Sequence, residues 1–399
     1  MNNISFKKKF ILDFILSFLS TVIPIAILQL VVYPVTSRIL NSDGYGLMLT
    51  FYSLFMLISN SGGAVLSNLR LLYDKRYKEE CIEGDFNVLL RDYLIINVVV
   101  IGVLAVIYWK NIGIFNLTTT LVTSILILLT AYLSVELRIH LDYKKIVINS
   151  LLLGIGYLVS LGLFFLTKQW DVIYLLPNSI SFIYLLKNTT YMRESFKKSY
   201  NFKVLFHKGN LLIVSVILAS SMSYVDKMIL YPLLGGHFVS IYYTASLLGK
   251  IISMIITPMS NVILSYIAHI DSMSRKQFNK VLIYGCVLCL IGYIVCICIT
   301  RPVLGILFPQ WLNEVLKYIP WTTLIAVLGA LGGLLHPFVL KYADLKWQNI
   351  IYGGSLAIYL MVSILLVKPF GLMGFCMGGI IAAVVKIVIM IVIYYKTNN

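Results

Sequence analysis

Charge is scarce in this sequence, and negative charge is scarcest. Only 12% of the 399 residues are Asp, Glu, Lys or Arg, and Asp and Glu together number 16. A soluble domain usually covers itself with roughly a quarter charged residues, so a water-exposed fold of the whole chain is excluded. No polar stretch is long enough to form a separate soluble domain. Histidine is sparse too. His140, His207, His237, His269 and His336 show no H-x-x-H or H-E-x-x-H spacing, and they are expected at helix ends or in loops. No glycine-rich phosphate loop follows a strand-like run. Of six cysteines, Cys286, Cys289, Cys296 and Cys298 crowd one apolar run. With no polar surroundings, their spacing reads as small apolar packing rather than a metal or redox centre. A catalytic constellation is missing, and an enzyme is not expected.

What the chain does contain is hydrocarbon, since 60% of its residues are hydrophobic. A bilayer-spanning helix needs about 20 mostly apolar residues. Runs of that kind fall at 10–33, 46–69, 93–109, 118–137, 146–166, 172–186, 210–231, 239–266, 281–300, 320–340, 349–367 and 372–394. The expected fold class is therefore an all-α integral membrane protein of about twelve transmembrane helices. The first run follows Lys7, Lys8 and Lys9. It is longer than a signal-peptide core and lacks a small-residue cleavage site, so it is expected to remain as the first helix.

The loops between these runs test the count. Placing the N-terminus in the cytoplasm puts roughly 23 basic residues into one set of loops and about six into the other. The rich set is Lys7 to Lys9, Arg70 to Arg91, Arg138 to Lys145, Lys187 to Lys208, Arg275 to Lys280, Lys341, Lys346 and Lys396. The poor set is Arg38, Lys110, Lys168, Arg301, Lys317 and Lys368. A missed span would invert every later loop, so the asymmetry favours twelve spans with both termini cytoplasmic. It also accounts for the formal charge of +16 without nucleic acid as a partner.

The polar stretch Lys187 to Gly209 divides the spans into halves. The expected organisation is an N-lobe at 1–190, a cytoplasmic linker at 191–209 and a C-lobe at 210–399. Two lobes with equal, even numbers of spans share one orientation and enclose a cleft.

Polar residues inside the spans mark what such a cleft contains, because an ionisable side chain near the bilayer centre costs about 2.5–3.5 kcal/mol. In 239–266, Ser240, Tyr243, Ser246, Lys250, Ser253, Thr257 and Ser260 recur every three or four residues and share one helical face. The face reads either as a wet wall or as helix-to-helix hydrogen bonding. Asp226 and Lys227 lie in the outer half of the seventh run, where adjacent helical positions diverge by about 100° and need not pair. Gly374, Gly378 and Ala382 step by four toward Lys386, a seam for close helix packing ending in a cation. The first run carries Asp13, Ser17, Ser20, Pro24 and Gln29. Pro24 and, in the eighth run, Pro258 are expected to bend their helices. Arg38 and Arg70 flank the second run, where an interfacial anchor is one reading.

Two segments carry a family resemblance. Thr36-Ser-Arg-Ile-Leu-Asn-Ser-Asp-Gly-Tyr-Gly46 is similar to the Ser-Arg-x-Leu-Gly-x-x-x-Tyr-Gly pattern of the multidrug/oligosaccharidyl-lipid/polysaccharide exporter superfamily (MOP, which includes the MATE transporters), with Asn41 where glycine is usual. Asp226-Lys-Met-Ile-Leu230, then Gly235 and Ile241-Tyr-Tyr-Thr-Ala245, resembles its second-half pattern, and within the superfamily the chain looks most like the Wzx-like O-antigen and capsule flippases. The resemblance implies two six-helix lobes around a central cationic cleft. By alternating access, such a protein moves an undecaprenyl-pyrophosphate-linked oligosaccharide across a bacterial inner membrane, without a cofactor but with H+ or Na+ as coupling ion. Polysaccharide polymerase and chain-length machinery would be partners, besides membrane lipids. On this reading Lys250, Lys227, Lys386 and Arg38 contact the pyrophosphate, Ser246, Ser253 and Thr257 the sugar, and Asp226, Asp13 and Pro24 serve coupling or gating. A MATE-type drug or metabolite antiporter is the nearest alternative. A polysaccharide polymerase or ligase is disfavoured by the short external loops, and a scaffolding protein by the mid-membrane Lys250.

Overall fold

A computed structural model describes the backbone of residues 3–109, 112–267, 275–342 and 346–397. Side chains at 3–14, 252–259, 261, 262, 264–266, 346, 349 and 397 lie outside the description. All regular structure among the described residues is helical. The helices are α1 Asn3–Ile27, α2 Tyr33–Ser37, α3 Ser42–Leu54, α4 Ser61–Glu79, α5 Gly84–Tyr108, α6 Ile114–Ile139, α7 Tyr143–Thr167 and α8 Val172–Asn188, then α9 Phe202–Leu234, α10 Gly236–Ile267, α11 Arg275–Leu307, α12 Leu312–Val315, α13 Ile319–Tyr342 and α14 Lys346–Thr397. Short π-helical segments, Leu28–Val32 and Phe55–Asn60, join α1 to α2 and α3 to α4, so that each set of pieces makes one span.

Nine helical stretches among the described residues are long and apolar enough to cross a membrane. One of them holds two spans, because α14 is interrupted at Gly371, whose φ of +56° and ψ of −137° are open to glycine and strained for other residues. The break falls in the gap expected between 367 and 372. Helices α8 and α10 coincide with the sixth and eighth expected runs. The chain is thus a multi-pass membrane protein whose helix order follows the hydropathy pattern.

Exposed faces show where lipid lies. On α5, Ile95, Ile96, Val99, Val103, Val106 and Ile107 are each more than half exposed, whereas Asn97, Ile101 and Ala105 are buried at a spacing of four. A wide apolar face left outside a folded unit is stable only against hydrocarbon. Helix α11 does the same with Ile283, Tyr284, Leu290, Ile291 and Ile294.

The chain divides into two compact units, 1–228 and 229–399. In the first, α4 meets α6 at Gly63, where an added Cβ would lie 2.6 Å from both the Leu128 carbonyl oxygen and the Ala131 Cβ. The Ser67 hydroxyl uses the same proximity to donate to the Ala131 carbonyl at 2.6 Å. Deeper in the bundle, Ser59 donates to the Asn97 amide oxygen at 2.8 Å, and the Asn97 amide nitrogen donates to Ser124 at 3.0 Å. This chain of polar bonds ties three helices within an apolar surround.

The second unit is built around α10, α13 and the two arms of α14. Gly249 of α10 abuts Ala326 of α13, and Thr322 donates to the Ala245 carbonyl at 2.9 Å. Beyond the Gly371 break the arms of α14 fold back on each other, with Gly374 against the Leu366 carbonyl and Gly378 against Ser363. The small-residue seam leading to Lys386 therefore packs helix on helix, as its spacing implies. Phe278 stacks on Tyr394 at 3.8 Å between ring centres and anchors α11 to the same core.

Candidate functional site

The hydroxyl stripe of α10 is partly described. Ser240, Tyr243 and Ser246 are buried. Ser240 donates to the Gly236 carbonyl at 3.1 Å and Ser246 to the Tyr243 carbonyl at 3.0 Å, so both serines return to their own helix. Lys250 lies two turns after Tyr243 and places its Nζ 4.3 Å from the centre of that ring, close enough for a cation–π contact. Asp13, Ser253, Thr257 and Pro258 have side chains outside the described residues.

Lys386 in the second arm of α14 is likewise set on a tyrosine, with its Nζ 4.8 Å from the Tyr352 ring centre. Tyr352 belongs to the first arm, and its other neighbour is the ring of His336 on α13, 5.6 Å away. His336 Nε2 lies 2.8 Å from the Gln348 side-chain oxygen. Gly332, one turn before His336, faces Ile387, the neighbour of Lys386, and an added Cβ there would make ordinary contact with it at 4.0 Å. The position of His336 differs from the expectation of a helix end, because it sits inside α13.

In the first unit Asp226 and Lys227 do not diverge. Asp226 Oδ1 accepts from the Lys227 backbone N–H at 2.9 Å and from its Nζ at 2.5 Å. The long lysine stem folds back to its neighbour because both groups are buried, and an unmatched charge there costs far more than a bent side chain. Nearby, Tyr108 donates to the Met228 carbonyl at 2.7 Å, and Tyr224 meets Tyr52 edge-on, which stacks on Tyr174 at 5.6 Å.

Arg38 follows α2 and is exposed. Asn41, three residues on, is the N-cap of α3, its side chain accepting from Gly44 N–H at 2.8 Å. An asparagine suits that role as well as a glycine does. Pro24 is buried within α1. The π-helical turn containing buried Gln29 begins four residues later, which relaxes the ladder in the part of the span where proline was expected to act.

Another group of ionisable residues closes the first unit at its basic end. Arg70, read from sequence as an interfacial anchor, is completely buried on α4. It bonds Asp74 Oδ1 through Nε at 2.6 Å and takes Glu194 in a two-pronged pair. Asn87, Asp85 and Glu136 hold the adjacent residues 189–201. No motif announces this arrangement, since its members are scattered over more than a hundred residues. At the start of α7, Asp142 caps the helix, and the hydrogen bond from Lys145 keeps its carboxyl below the usual range.

No family model and no curated protein matches the sequence. Solved structures do. The lipid II flippase MurJ in an inward closed conformation aligns with a TM-score of 0.70 at 15% identity, over 97% of this chain and 90% of that one. An inward-facing multidrug resistance MATE family transporter of the MOP superfamily aligns with a TM-score of 0.66 at 14% identity, over 95% and 98%. A eukaryotic MATE transporter gives 0.60 at 15% identity, over 98% and 97%. The backbone of this chain therefore has, over nearly all of its length, the fold that these MATE transporters share with the lipid II flippase MurJ.

Proposed function

We propose that this chain is a flippase for an anionic lipid-linked saccharide, moving a polyprenyl-pyrophosphate oligosaccharide from the cytoplasmic to the outer leaflet of a bacterial inner membrane for surface polysaccharide synthesis. The observation that carries the reading is the state of Lys386. It lies within a spanning helix against a tyrosine face, with no carboxylate in ion-pair range among the described residues. A pyrophosphate offers the charge that such a group lacks, whereas an organic cation would be repelled by it. Lys250, seated on Tyr243, belongs to the same reading, as do Lys227 and the exposed Arg38. Ser246, Ser253 and Thr257 are assigned to the sugar, and Asp226, Asp13 and Pro24 to coupling or gating by H+ or Na+. Cytoplasmic termini follow from the basic loops, and the two-lobed division at 190 and 210 remains part of the proposal.

The MATE likeness gives equal standing to a second reading, an ion-coupled drug or metabolite antiporter. Buried Asp226 favours it, because a membrane carboxylate can exchange a proton for a cationic drug. Proteoliposomes containing a fluorescent short-chain prenyl-pyrophosphate glycolipid separate the two. Protein-dependent loss of dye to external quencher, reduced at least about tenfold by Lys250→Ala with Lys386→Met, supports the flippase. Proton-driven ethidium uptake without glycolipid movement would replace it with the antiporter.

A further inference from the structure

Four polar side chains converge in the second unit from three helical segments. Lys386 and His336 both face the Tyr352 ring, at 4.8 and 5.6 Å, and His336 is bonded to Gln348 at 2.8 Å. A tyrosine face offsets only part of the cost of a lysine in hydrocarbon. No other partner of Lys386 occurs among the described residues.

Donors outnumber acceptors here. Lys386 presents three N–H bonds. The Gln348 oxygen is occupied by His336 Nε2, which leaves its NH2 group as a donor pair. With Nε2–H directed at Gln348, the other ring nitrogen of His336 is an acceptor, so His336 serves to orient the Gln348 amide, and the Tyr352 hydroxyl is a further donor. After Tyr352 come Gly353 and Gly354, where an added Cβ would meet nothing within 4 Å among the described residues.

Depth narrows the ligand. Gln348 lies about 3 Å along its helix from Lys346, His336 about 9 Å from the end of α13, and Lys386 about 16 Å from the end of α14. These are the ends that carry Lys341, Lys346 and Lys396. The cluster thus sits toward the basic ends of these segments, within reach of a lipid headgroup at that interface.

We infer that Lys386, Gln348 and Tyr352, with His336 orienting the Gln348 amide, form a binding site for the phosphate oxygens of an anionic amphiphile, contained within the second unit. The inference shares Lys386 with the flippase reading and extends it by naming the other donors. It is tested by binding alone, so absence of translocation and absence of this site are separate results.

Full-length protein in phosphatidylcholine nanodiscs is titrated with three probes: inorganic pyrophosphate, phosphatidylglycerol and farnesyl pyrophosphate. At least one is expected to bind, and Lys386→Met is expected to weaken it about tenfold or more, with Gln348→Leu and His336→Phe each weakening it about threefold or more. Lys386→Arg should retain binding. Tight binding of pyrophosphate alone identifies a phosphate site, a preference for phosphatidylglycerol a resident lipid, and a preference for farnesyl pyrophosphate the cargo headgroup. Should Lys386→Met fail to fold, the Gln348→Leu and His336→Phe pair decides. Failure of all three probes to bind the wild type, or equal binding by wild type and every variant that folds, would overturn the site.

Discussion

Arg70 and Glu194 lie 124 residues apart and meet in a two-pronged ion pair, with Nη1 donating to Oε2 at 2.7 Å and Nη2 to Oε1. The guanidinium is also sandwiched, 3.9 Å from the Tyr191 ring centre and 4.5 Å from that of Phe86. A flat, forked cation satisfies both demands, and the compact ammonium of lysine meets only one. Arg70→Lys is therefore expected to destabilise the first unit, by about 2–3 kcal/mol, and Arg70→Ala by about 3–5 kcal/mol because half-buried Glu194 loses its ion pair, while Asp74 keeps Lys78 and the Tyr191 hydroxyl. Thermal unfolding in detergent, followed by intrinsic tryptophan fluorescence, measures both. Equal melting of Arg70→Lys and wild type would show that the fork is not used.

The segment following α8 is held at several further points. Glu136 accepts from the Thr190 N–H at 2.7 Å, its hydroxyl at 2.9 Å and the Tyr191 N–H at 3.2 Å. The Asn87 amide nitrogen donates to the Tyr191 and Glu194 carbonyls at 3.0 Å each. Asp85 accepts from the Ser199 N–H at 2.6 Å and its hydroxyl at 2.5 Å. Residues 189–201 are thus fastened to α5 and α6 through these polar groups. Asp85→Ala is expected to speed tryptic cleavage after Lys197 and Lys198 by about tenfold, since local opening then loses charge-assisted bonds worth about 1.5–3 kcal/mol. An unchanged cleavage rate would mean that the neighbouring contacts suffice.

Much of the fold is legible in the sequence, because lipid imposes one rule on every span. Apolar length fixed the helices, and even the break at Gly371 lies in the gap that hydropathy leaves open. The seam from Gly374 to Lys386 is equally readable, since small residues every four positions have one cheap use. Side-chain partnerships are not readable in that way. Asp226 and Lys227 pair because both are buried, which a helical wheel does not state. Arg70 reads as an anchor until Glu194 arrives from a distant segment, and His336 acquires meaning only when Gln348, Tyr352 and Lys386 come from a different helix.

The glycine seam yields a stability prediction. A Cβ at Gly374 would collide with the Leu366 carbonyl, and backbone cannot move aside as a flexible side chain does. Gly374→Ala is expected to cost about 1–3 kcal/mol through overpacking. At Gly353, where the space is open, alanine is expected to be neutral or stabilising by up to about 1 kcal/mol. Comparing the two melting temperatures checks the assignment.

Asp142 gives a pH dependence with a definite sign. Its carboxyl is held low by Lys145, whose Nζ lies 3.0 Å from Oδ2, and it accepts from the Lys145 N–H at 3.3 Å. A carboxyl with a depressed folded value contributes stability above its ordinary value, and the contribution is lost as pH falls through the folded one. Amide protection in the first turn of α7 should therefore drop below about pH 4, and Asp142→Asn, which caps without titrating, should remove the step. The site is exposed, so the effect stays local, within about 1 kcal/mol.

The Asp226 and Lys227 pair allows stability to be separated from use. Removing one partner leaves a buried charge, so Asp226→Asn alone or Lys227→Met alone should each cost about 3–5 kcal/mol, while the double replacement should recover most of that loss. If the pair only holds the end of α9, the recovered double variant will also transport. If it takes part in coupling, the double variant will melt near wild type yet move cargo at least about tenfold more slowly, with no response to an imposed proton or sodium gradient. Measuring melting and gradient-driven transport on the same preparation decides between them, because a folding defect moves both readings and a coupling defect moves only the second.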